Sequence, residues 1–573
     1  MATAVHPKTA GGFFLIEDQP AAEVFTPEDL TEEHRAIART AREFFDNEVA
    51  PRVEDMQHGD FDAAVALLRK AASLGLESVL TPERYGGMEM DLTSMMIVAE
   101  QLARDGSFAG WHGAHAGIGT LPLLLFGTEH QKQKYLPRLS SCEMVAAYCL
   151  SEPQAGSDAL AAKTRADLSA DGTHYVLNGQ KMWITNGGRA DLFTVFAKIN
   201  GEQFSAFLVE RAFPGVSNGP EEKKMGIKGS STTPVFFDNV RVPVENLLGE
   251  AGRGHIIAFN ILNIGRLKLG AFAAGGARNV LQISLAYAKE RRAFGAPIAE
   301  FGMIRHKLAE MAIRIFAAES MTYRVEGLIH ERLEGFTWDE PDAERRMMKA
   351  VEEFAAECSI IKVYASEMLD YVVDEGVQIH GGYGYHQDYA VERAYRDSRI
   401  NRIFEGTNEI NRLLITGMLL KRAQQGRLGL VKAAKGLMEE VLSGPSAGGG
   451  LVQNAKKVAL LLMAVAFEKY GTDLEKQQEV VAGIANVILE IFAMESAQLR
   501  SQKCGLGADI CAVLLPESMG RIEIFAREVL AACSEGDALR TNMAILRRFA
   551  KHDPVDVIRL RRRIAGRVLE AGR

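Results

Sequence analysis

Phe204-Ser-Ala-Phe-Leu-Val209 is a short run of apolar and aromatic residues, and comparable runs occur at Phe193-Thr-Val-Phe196 and Val235-Phe-Phe237. Runs of this length and composition are typical of β-strands. Turn-forming pairs such as Asn178-Gly179 lie among them. We therefore predict an antiparallel β domain over residues 148–255, within a chain that is otherwise mainly helical.

Helix-forming patterns flank this β domain on both sides. Apolar residues recur at helix spacing before it, from Met95 to Leu102, and after it, from Ile304 to Gly327. Thr26-Pro27-Glu28-Asp29 has the residues of a helix start: a capping Thr, a Pro at the first helical position and acids in the first turn. We predict an irregular lead over residues 1–25, a helical domain over 26–147, a helical bundle over 256–418 and a helical extension over 419–573.

The extension contains a predicted loop and an internal similarity. The composition of Ser443-Gly-Pro-Ser-Ala-Gly-Gly-Gly450 predicts a flexible loop. Ile491-Phe-Ala-Met-Glu-Ser496 is followed by Arg500, just as Ile315-Phe-Ala-Ala-Glu-Ser320 is followed by Arg324. Two explanations stay open, which are chance similarity between amphipathic helices and a copy of part of the bundle within the extension.

Composition and charge exclude several classes of protein. The net charge of −8 on 573 residues argues against a nucleic-acid binder. None of the six cysteines forms a CxxC pair or has a metal-ligand spacing with His, so we expect free thiols in a reducing compartment and no metal site. No GxGxxG follows a strand, so nothing indicates a Rossmann site. The N-terminal residues resemble neither a secretory signal nor a transit peptide, which favours the bacterial cytoplasm, with a trimmed mitochondrial chain as the alternative.

Three motifs carry the chemistry. They are Tyr148-Cys-Leu-Ser-Glu-Pro-Gln-Ala-Gly-Ser157, Gln378-Ile-His-Gly-Gly-Tyr-Gly384 and Arg402-Ile-Phe-Glu-Gly-Thr-Asn408. In the last motif Glu405 follows an aromatic residue and precedes a glycine, so its carboxylate can enter an apolar slot while the backbone approaches a ligand. Burial would raise the pKa of this carboxylate and make it a stronger base.

In this order, the three motifs resemble those of the acyl-CoA dehydrogenase family over roughly residues 30–415. The likeness is greatest to very-long-chain members, because Phe301-Gly302 precedes a Lys-Leu-Ala-Glu-Met helix and a helical extension of similar length follows. The resemblance implies an N-terminal helical domain, a β-barrel-like middle domain and a four-helix bundle, with an extra C-terminal helical domain. It also implies the FAD-dependent conversion of long-chain or very-long-chain acyl-CoA to trans-2-enoyl-CoA in fatty acid β-oxidation.

The resemblance makes Glu405 the catalytic base that removes a proton beside the thioester carbonyl. Some family members carry the base at the position of Gly265, where this chain has no side chain that can transfer a proton. For Arg266, a role near the active site and a purely structural role have similar weight. The substrate contacts that the resemblance implies are Ser157, Arg266, Phe404 and Gly406.

The FAD contacts implied by the resemblance form two groups. Trp183 and Thr185 would lie near the isoalloxazine ring, whereas Arg291 and the glycine pair of the second motif would reach the FAD of another subunit. Arg292 is the alternative to Arg291, and a simple helix end is the alternative explanation of the glycine pair. A half-site in each of two chains implies a homodimer. The full set is Tyr148, Leu150, Ser151, Ser157, Trp183, Ile184, Thr185, Arg291, Phe294, Gln378, Gly381, Gly382, Thr407, Asn408 and Glu409.

The family's acyl tunnel corresponds here to Trp111-His-Gly-Ala-His-Ala-Gly-Ile-Gly119. Its small residues leave room for a long acyl chain, although small residues also simply pack helices. We expect His112 and His115 to pack or to line the pocket rather than to bind a metal.

Basic residues alternate with apolar ones at the start of the extension, and a second basic run covers Arg559 to Arg567. A basic amphipathic helix is typical of a membrane-surface element, but an ordinary packed helix fits equally well. The resemblance to peripheral very-long-chain enzymes favours contact with an anionic membrane. The first basic group is Lys421, Arg422, Arg427, Lys432 and Lys435.

The family's electron acceptor is an electron-transferring flavoprotein, which we expect as the partner here. One alternative is an acyl-CoA oxidase, which passes its electrons to oxygen. Another is a respiratory-complex assembly factor that keeps a vestigial dehydrogenase site.

Overall fold

The computed structural model describes residues 9–443 and 449–572, so most of the predicted loop at Ser443–Gly450 lies outside the described residues. The first domain is helical. Thr26 caps a helix with Pro27 at its first position, as predicted, but this helix is a single 3-10 turn, Pro27–Asp29. The first α-helix begins at Glu32, capped by Thr31. The helices of this domain are α1 (Glu32–Phe44), α2 (Val53–Gln57), α3 (Phe61–Ser73), α4 (Leu92–Leu102), α5 (Gly106–His112), α6 (Leu121–Phe126) and α7 (Glu129–Ser140).

The lead before these helices is irregular, as predicted, but it is part of the core. Its 3-10 turn Phe13–Leu15 is fully buried. The ring of Phe14 packs at 4.8 Å against Phe492 of the extension. The backbone N–H of Gly12 donates to Glu357 of the bundle at 2.6 Å. The lead therefore ties the bundle to the extension.

The middle domain is a sheet with its own apolar core. Its strand order is β6-β7-β3-β2-β4-β5-β8, and β1 pairs with β4. The prediction of a purely antiparallel domain is wrong, because β1 and β2 each run parallel to β4. The strands are β1 (Ala146–Cys149), β2 (Arg165–Leu168), β3 (His174–Thr185), β4 (Leu192–Ile199), β5 (Gln203–Glu210), β6 (Val216–Asn218), β7 (Thr232–Pro243) and β8 (Leu247–Leu248).

The third domain is a bundle in which α8, α9, α11 and α13 pack together. Its last helix runs through residue 418, so the predicted boundary falls inside a helix rather than in a linker. The elements are α8 (Gly254–Glu290), β9 (Arg292–Ala293), β10 (Ala296–Pro297), α9 (Gly302–Arg332), α10 (Ala343–Glu353), α11 (Ala355–His380), α12 (Ala390–Ser398) and α13 (Asn408–Gln424).

The extension is helical and packs on the bundle through α16 and α19. The apolar helices α8 and α16 are long enough to cross a membrane, but 67% and 78% of their most apolar windows are buried inside the protein, as in core helices. The helices of the extension are α14 (Leu430–Leu442), α15 (Leu451–Tyr470), α16 (Gln478–Cys504), α17 (Ala508–Cys533), α18 (Gly536–Ala550) and α19 (Val557–Ala571).

The two similar sequences lie on α9 and α16, and they contact each other reciprocally. Arg324 Nη2 lies 2.9 Å from Glu495 Oε2, and Arg500 Nη1 lies 3.2 Å from Glu319 Oε2. Each guanidinium also lies over the aromatic ring of the opposite sequence, Arg324 over Phe492 and Arg500 over Phe316. The two similar sequences therefore make equivalent contacts across the interface of α9 and α16, in a local two-fold arrangement. Duplication of the surrounding helices stays a prediction.

Candidate active site

Glu405 lies in the short connection between α12 and α13, with its carboxylate in a protein cavity. Its Oε2 atom is buried and has no hydrogen-bond partner. Burial raises the pKa of Glu405 to about 7, although the nearby cations Arg266 and Lys362 act in the opposite direction. The backbone of Glu405 is left-handed, with φ of 60°, a conformation that is rare outside glycine and that marks functional sites. An unpaired carboxylate with such a pKa can accept a proton near neutral pH.

Gly265 on α8 provides the space for this carboxylate. A Cβ atom at position 265 would lie 2.7 Å from Glu405 Oε2. Any larger residue would therefore displace the carboxylate. The absence of a side chain at position 265 thus leaves room for the Glu405 carboxylate in its present position.

Arg266 holds the backbone of the Glu405 loop rather than its carboxylate. Its Nε donates to the carbonyl oxygen of Glu405 at 3.1 Å, and its Nη1 donates to Asn263 at 2.9 Å. The side chain of Asn411 donates to the next carbonyl, that of Gly406, at 2.8 Å. Among the described residues, the backbone N–H of Glu405 has no protein acceptor. The loop is thus fixed while one N–H and the carboxylate stay available for a ligand.

Lys362 and Asn408 form a buried polar layer beneath the Glu405 loop. Lys362 Nζ donates to Asn408 Oδ1 at 2.7 Å, and Asn408 Nδ2 donates to Ser366 at 3.0 Å. Burial lowers the pKa of Lys362 to about 7, against the attraction of Glu405. The side chain of Asn408 is only 2% exposed. These contacts occupy the side-chain amide of Asn408, and an FAD contact at this residue stays a prediction.

The cavity that receives Glu405 is large and mostly apolar. It encloses about 980 Å³ including its open mouth, and Phe404, Thr185 and α8 form part of its wall. The opposite wall comes from α5 and from Gly113–Gly119, which is a π-helical segment. Such segments occur frequently at functional sites. The predicted tunnel sequence therefore lines the same cavity as the predicted base.

The segment Tyr148–Ser157 crosses the β domain beside this cavity and is fixed by a buried ion pair. Lys181 Nζ lies 2.7 Å from Glu152 Oε1, and both side chains are almost fully buried. The backbone N–H of Met182 donates to the Ser151 carbonyl at 3.0 Å, which joins the segment to β3. The hydroxyl of Tyr148 is buried without a partner, and burial raises its pKa well above the usual value, with Glu405 as a further cause. Leu150 is half-buried, and Ser157 is exposed.

The end of β3 presents Trp183 and Thr185 at the surface beside the cavity. Trp183 is 59% exposed and has a left-handed φ of 58°. Thr185 is half-buried and lines the cavity with Glu405. Ile184 between them is 2% exposed and points into the core of the β domain, so only its backbone faces outward.

A second group of expected FAD residues lies around a different cavity. Arg291, Gly381 and Gly382 line this cavity, and Arg291 lies 5.4 Å from the ring centroid of Tyr383. A Cβ atom on either glycine would meet nothing within 4 Å, so the surface is open there. Gly381 also ends α11 with a φ of 60°, so the helix-end explanation of the pair holds as well. Gln378 is exposed on the last turn of the same helix.

Several features of the site fit an FAD. The large aromatic side chains of Trp183 and Phe294 are 59% and 98% exposed, and both have left-handed backbones. A bound ligand or partner would bury both rings, which is favourable for large aromatic side chains. Arg291 beside the open glycine pair suits a diphosphate, because a guanidinium forms paired hydrogen bonds with phosphate oxygens. Thr407 caps α13, and exposed Glu409 lies on its first turn.

The structure therefore brings Glu405, Phe404, Gly406, Arg266, Tyr148 and Thr185 together, and it places Arg291, Gln378 and the glycine pair elsewhere. No sequence motif predicted the roles of Lys362, Asn263 and Asn411 around the Glu405 loop. The same is true of Lys268, which lines the cavity one helical turn from Gly265. A lysine within the apolar stripe of α8 was the one available signal.

Comparisons with known proteins agree with this arrangement. Sequence profiles of the acyl-CoA dehydrogenase N-terminal, middle and C-terminal domains match residues 31–143, 147–240 and 252–420. A further profile, also described as an acyl-CoA dehydrogenase C-terminal domain, matches residues 454–548.

Two relatives span much of the chain. A probable acyl-CoA dehydrogenase of Bacillus subtilis is 48% identical and covers 98% of both chains. The human mitochondrial very long-chain specific acyl-CoA dehydrogenase is 39% identical over 74% of this chain and 62% of its own length.

Solved structures show the same fold. The crystal structure of an acyl-CoA dehydrogenase complexed with FAD from Bacillus anthracis is 49% identical, covers 99% of both chains and has a TM-score of 0.97. Butyryl-CoA dehydrogenase from Megasphaera elsdenii is 36% identical, covers 68% of this chain and 99% of its own, and has a TM-score of 0.62.

Proposed function

The chain belongs to the acyl-CoA dehydrogenase family, and from this premise we propose that it is an FAD enzyme that desaturates long-chain acyl-CoA, with Glu405 as its base. The buried Glu405 carboxylate, with no hydrogen-bond partner on Oε2 and a pKa near 7, carries this proposal. A carboxylate that is paired in the ground state would be a poor proton acceptor. This carboxylate faces a cavity large enough for an acyl chain.

The residues of the chain divide the reaction between them. Glu405 removes a proton from the carbon beside the thioester carbonyl, and its backbone N–H is placed to donate to the carbonyl oxygen as negative charge develops there. Arg266 and Asn411 hold the loop so that both groups act from one rigid position. When bound, FAD supplies the acceptor for the hydride that leaves the next carbon. The apolar walls exclude water from the reacting carbons.

The preference for long chains rests on the small residues of the cavity wall. Gly110, Gly113, Ala114 and Gly117 line the cavity, and their small side chains take up little of its space. The 39% identity to the human very long-chain specific enzyme supports the same preference. The trans-2-enoyl-CoA product is the expected first intermediate of fatty acid β-oxidation, and an electron-transferring flavoprotein is the proposed acceptor.

We place the enzyme in solution as a homodimer. Arg291, Gly381, Gly382 and Phe294 are open and do not line the cavity of Glu405. In a homodimer these residues would complete the FAD site of the second subunit, and Phe294 would lose its exposure. Light scattering of the holoenzyme tests this arrangement, and a monomer that retains full FAD would contradict it.

Peripheral contact with the inner face of a bacterial membrane is a further part of the proposal, with α14 as the contact. Arg422 and Arg427 both pair with Glu353, so these two side chains already have a structural role. Lys432 and Lys435 are exposed on α14, beside exposed Val431. Changing both lysines to Glu should weaken co-sedimentation with anionic vesicles, and changing exposed Lys163 and Lys469 to Glu provides the charge-matched control. Equal loss in both variants would exclude a specific role for α14.

The decisive experiment is an anaerobic spectral titration of the holoenzyme with palmitoyl-CoA and with butyryl-CoA. Palmitoyl-CoA should bleach the flavin band, butyryl-CoA should do so weakly, and Glu405→Gln should retain FAD without responding. Formation of peroxide in air at the rate of turnover would identify an oxidase instead. Bound FAD that no acyl-CoA reduces would reject the enzymatic function.

A further inference from the structure

A lysine side chain lies in the mostly apolar wall of the acyl cavity. Lys268 follows Gly265 by three residues on α8, so the two positions are about 4.5 Å apart along the helix axis. Both residues line the cavity that contains Glu405. The rest of the α8 stripe in this wall is Ile261, Ile264, Leu269 and Phe272. Lys268 is therefore the one cation of this stripe.

Lys268 belongs to a buried relay of three side chains. Its Nζ donates to His112 Nε2 at 3.1 Å, and His112 Nδ1 lies 3.0 Å from Glu77 Oε2. Because Nε2 accepts from the ammonium, the ring proton resides on Nδ1 and donates to the Glu77 carboxylate. The histidine is neutral in this arrangement, and burial lowers its pKa. The charges of Lys268 and Glu77 then balance.

The ammonium group retains donors that no protein atom uses. Among the described residues, His112 Nε2 is the only hydrogen-bond acceptor of Lys268. An ammonium has three N–H donors, so two remain. Lys268 is only 8% exposed. A Cβ atom at Gly117 would lie 3.6 Å from Lys268 Nζ. Glycine at 117 thus leaves room beside the ammonium, on the cavity side.

The other neighbours of Glu77 do not form a metal site that would explain the relay. Glu77, His115 and Cys142 lie close enough together to suggest one. However, His115 Nδ1 accepts the backbone N–H of Ala146 at 3.0 Å, and its Nε2 lies 3.0 Å from the Leu139 carbonyl. Both ring nitrogens are therefore occupied. Burial also raises the pKa of the Cys142 thiol, which disfavours the thiolate that a metal needs.

An unsubstituted hydrocarbon chain would leave two buried N–H donors without acceptors, which is unfavourable. We infer that the cavity is built for acyl-CoA substrates whose chain carries a neutral oxygen, a hydroxyl or a keto group, at the depth of Lys268. A carboxylate is a poorer fit, because Glu77 already balances the lysine and a second negative charge would be buried unpaired. This inference rests on the proposed function and narrows its substrate class.

The test compares palmitoyl-CoA with hydroxypalmitoyl-CoA substrates that carry the hydroxyl at successive positions along the middle of the chain. Initial rates of the wild-type holoenzyme are measured with an artificial electron acceptor. One position, or two adjacent positions, should give kcat/KM at least about tenfold above palmitoyl-CoA, the effect of one hydrogen bond to a charged group. Equal or lower values at every position would overturn the inference, even when palmitoyl-CoA itself is a good substrate. Failure of every substrate would instead reject the proposed function.

A variant pair separates recognition from structural support. The measured quantity is kcat/KM for the preferred hydroxylated substrate divided by kcat/KM for palmitoyl-CoA. Lys268→Met should lower this ratio about tenfold or more. Ile261→Met changes the same wall without a charge and should leave this ratio unchanged. If Lys268→Met lowers only the melting temperature, and the ratio stays at the wild-type value, the relay is structural and the inference is wrong. If Lys268→Met does not fold, the position series with the wild-type enzyme still decides.

Discussion

Glu405 and Glu319 are both buried carboxylates beside arginines, but their pKa values are shifted in opposite directions. At Glu319, Arg278 Nε donates at 2.9 Å and Arg500 Nη1 lies at 3.2 Å, and these partners lower its pKa despite burial. At Glu405, Arg266 donates to the backbone carbonyl and leaves the carboxylate unpaired, so burial dominates and raises the pKa to about 7. Both sites contain an arginine next to a glutamate, and they differ in the acceptor: the carboxylate at Glu319 and the backbone carbonyl at Glu405.

The comparison distinguishes a charge kept for stability from one kept for reaction. On α9 and α16 each arginine contacts the carboxylate, the serine and the aromatic ring of the opposite sequence, so every charged group is satisfied. Around Glu405, the carboxylate Oε2, the Tyr148 hydroxyl and the Asn411 side-chain oxygen are buried without a hydrogen-bond partner. An unpaired buried charge destabilises a fold, and it persists here because the surrounding loop is held by other contacts.

The strongest test of this contrast exchanges each glutamate for glutamine. Glu405→Gln should lower turnover of palmitoyl-CoA by about a thousandfold, because the proton acceptor is lost, while FAD absorbance is retained. Glu319→Gln should leave turnover within a few-fold of wild type and lower the free energy of unfolding. Turnover is measured by reduction of an artificial acceptor. An equal loss of turnover in both variants would show that Glu405 and Glu319 do not differ in their role in the reaction.

A methyl group at Gly265 should impair the reactive carboxylate without removing it. The added Cβ would lie 2.7 Å from Glu405 Oε2, so the carboxylate must move. Displacement of a catalytic group by about 1 Å costs roughly a hundredfold in rate, and we expect kcat/KM to fall by about this factor. Gly417→Ala on α13 is the control, because its Cβ would meet nothing within 4 Å. Similar losses in the two variants would point to general helix effects.

At the paired site, removal of one arginine should affect stability rather than chemistry. Arg500→Met should lower the free energy of unfolding in urea by about 3 kcal/mol, because buried Glu319 loses a partner. Glu319 keeps Arg278 and Glu495 keeps Lys456 in these variants, but Arg500 also pairs with Glu28, so Arg324→Met should cost less. A double-mutant cycle of Arg500→Met with Glu319→Gln measures the coupling. Additive losses would show that the two side chains do not stabilise each other.

The smallest expected effects are those of pH. The kcat/KM for palmitoyl-CoA should rise through about pH 7 as Glu405 ionises. The folded pKa of Glu405 lies above its ordinary value of 4.5, so its contribution to stability is present below pH 4.5 and is lost as pH rises through 7. Glu405→Gln should therefore raise the melting temperature over wild type more at pH 8 than at pH 5. An increase in melting temperature that is the same at both pH values would contradict the raised pKa of Glu405.

Local patterns in the sequence predicted the main divisions of the fold and several residues of the site. The apolar runs around Phe204 predicted the β domain, and the Glu405 motif predicted a candidate base whose carboxylate lies in the cavity. Local patterns were less reliable at element ends. Thr26-Pro27-Glu28-Asp29 has the residues of a helix start, yet forms one 3-10 turn. The direction of β1 and β2 also could not be read from turn signals, because their partner strand β4 is distant in sequence.

The sequence by itself determined which segments are helices or strands, because hydrophobic periodicity and turn residues act over short distances. It also determined, through its motifs, the family and the candidate base. Only the tertiary structure decided the protonation behaviour of that base, since the burial of Glu405 and the direction of the Arg266 hydrogen bond depend on residues more than a hundred positions apart. The same holds for the contact of Lys268 with His112 and for the reciprocal arginines of α9 and α16, where side chains distant in the chain share one buried space.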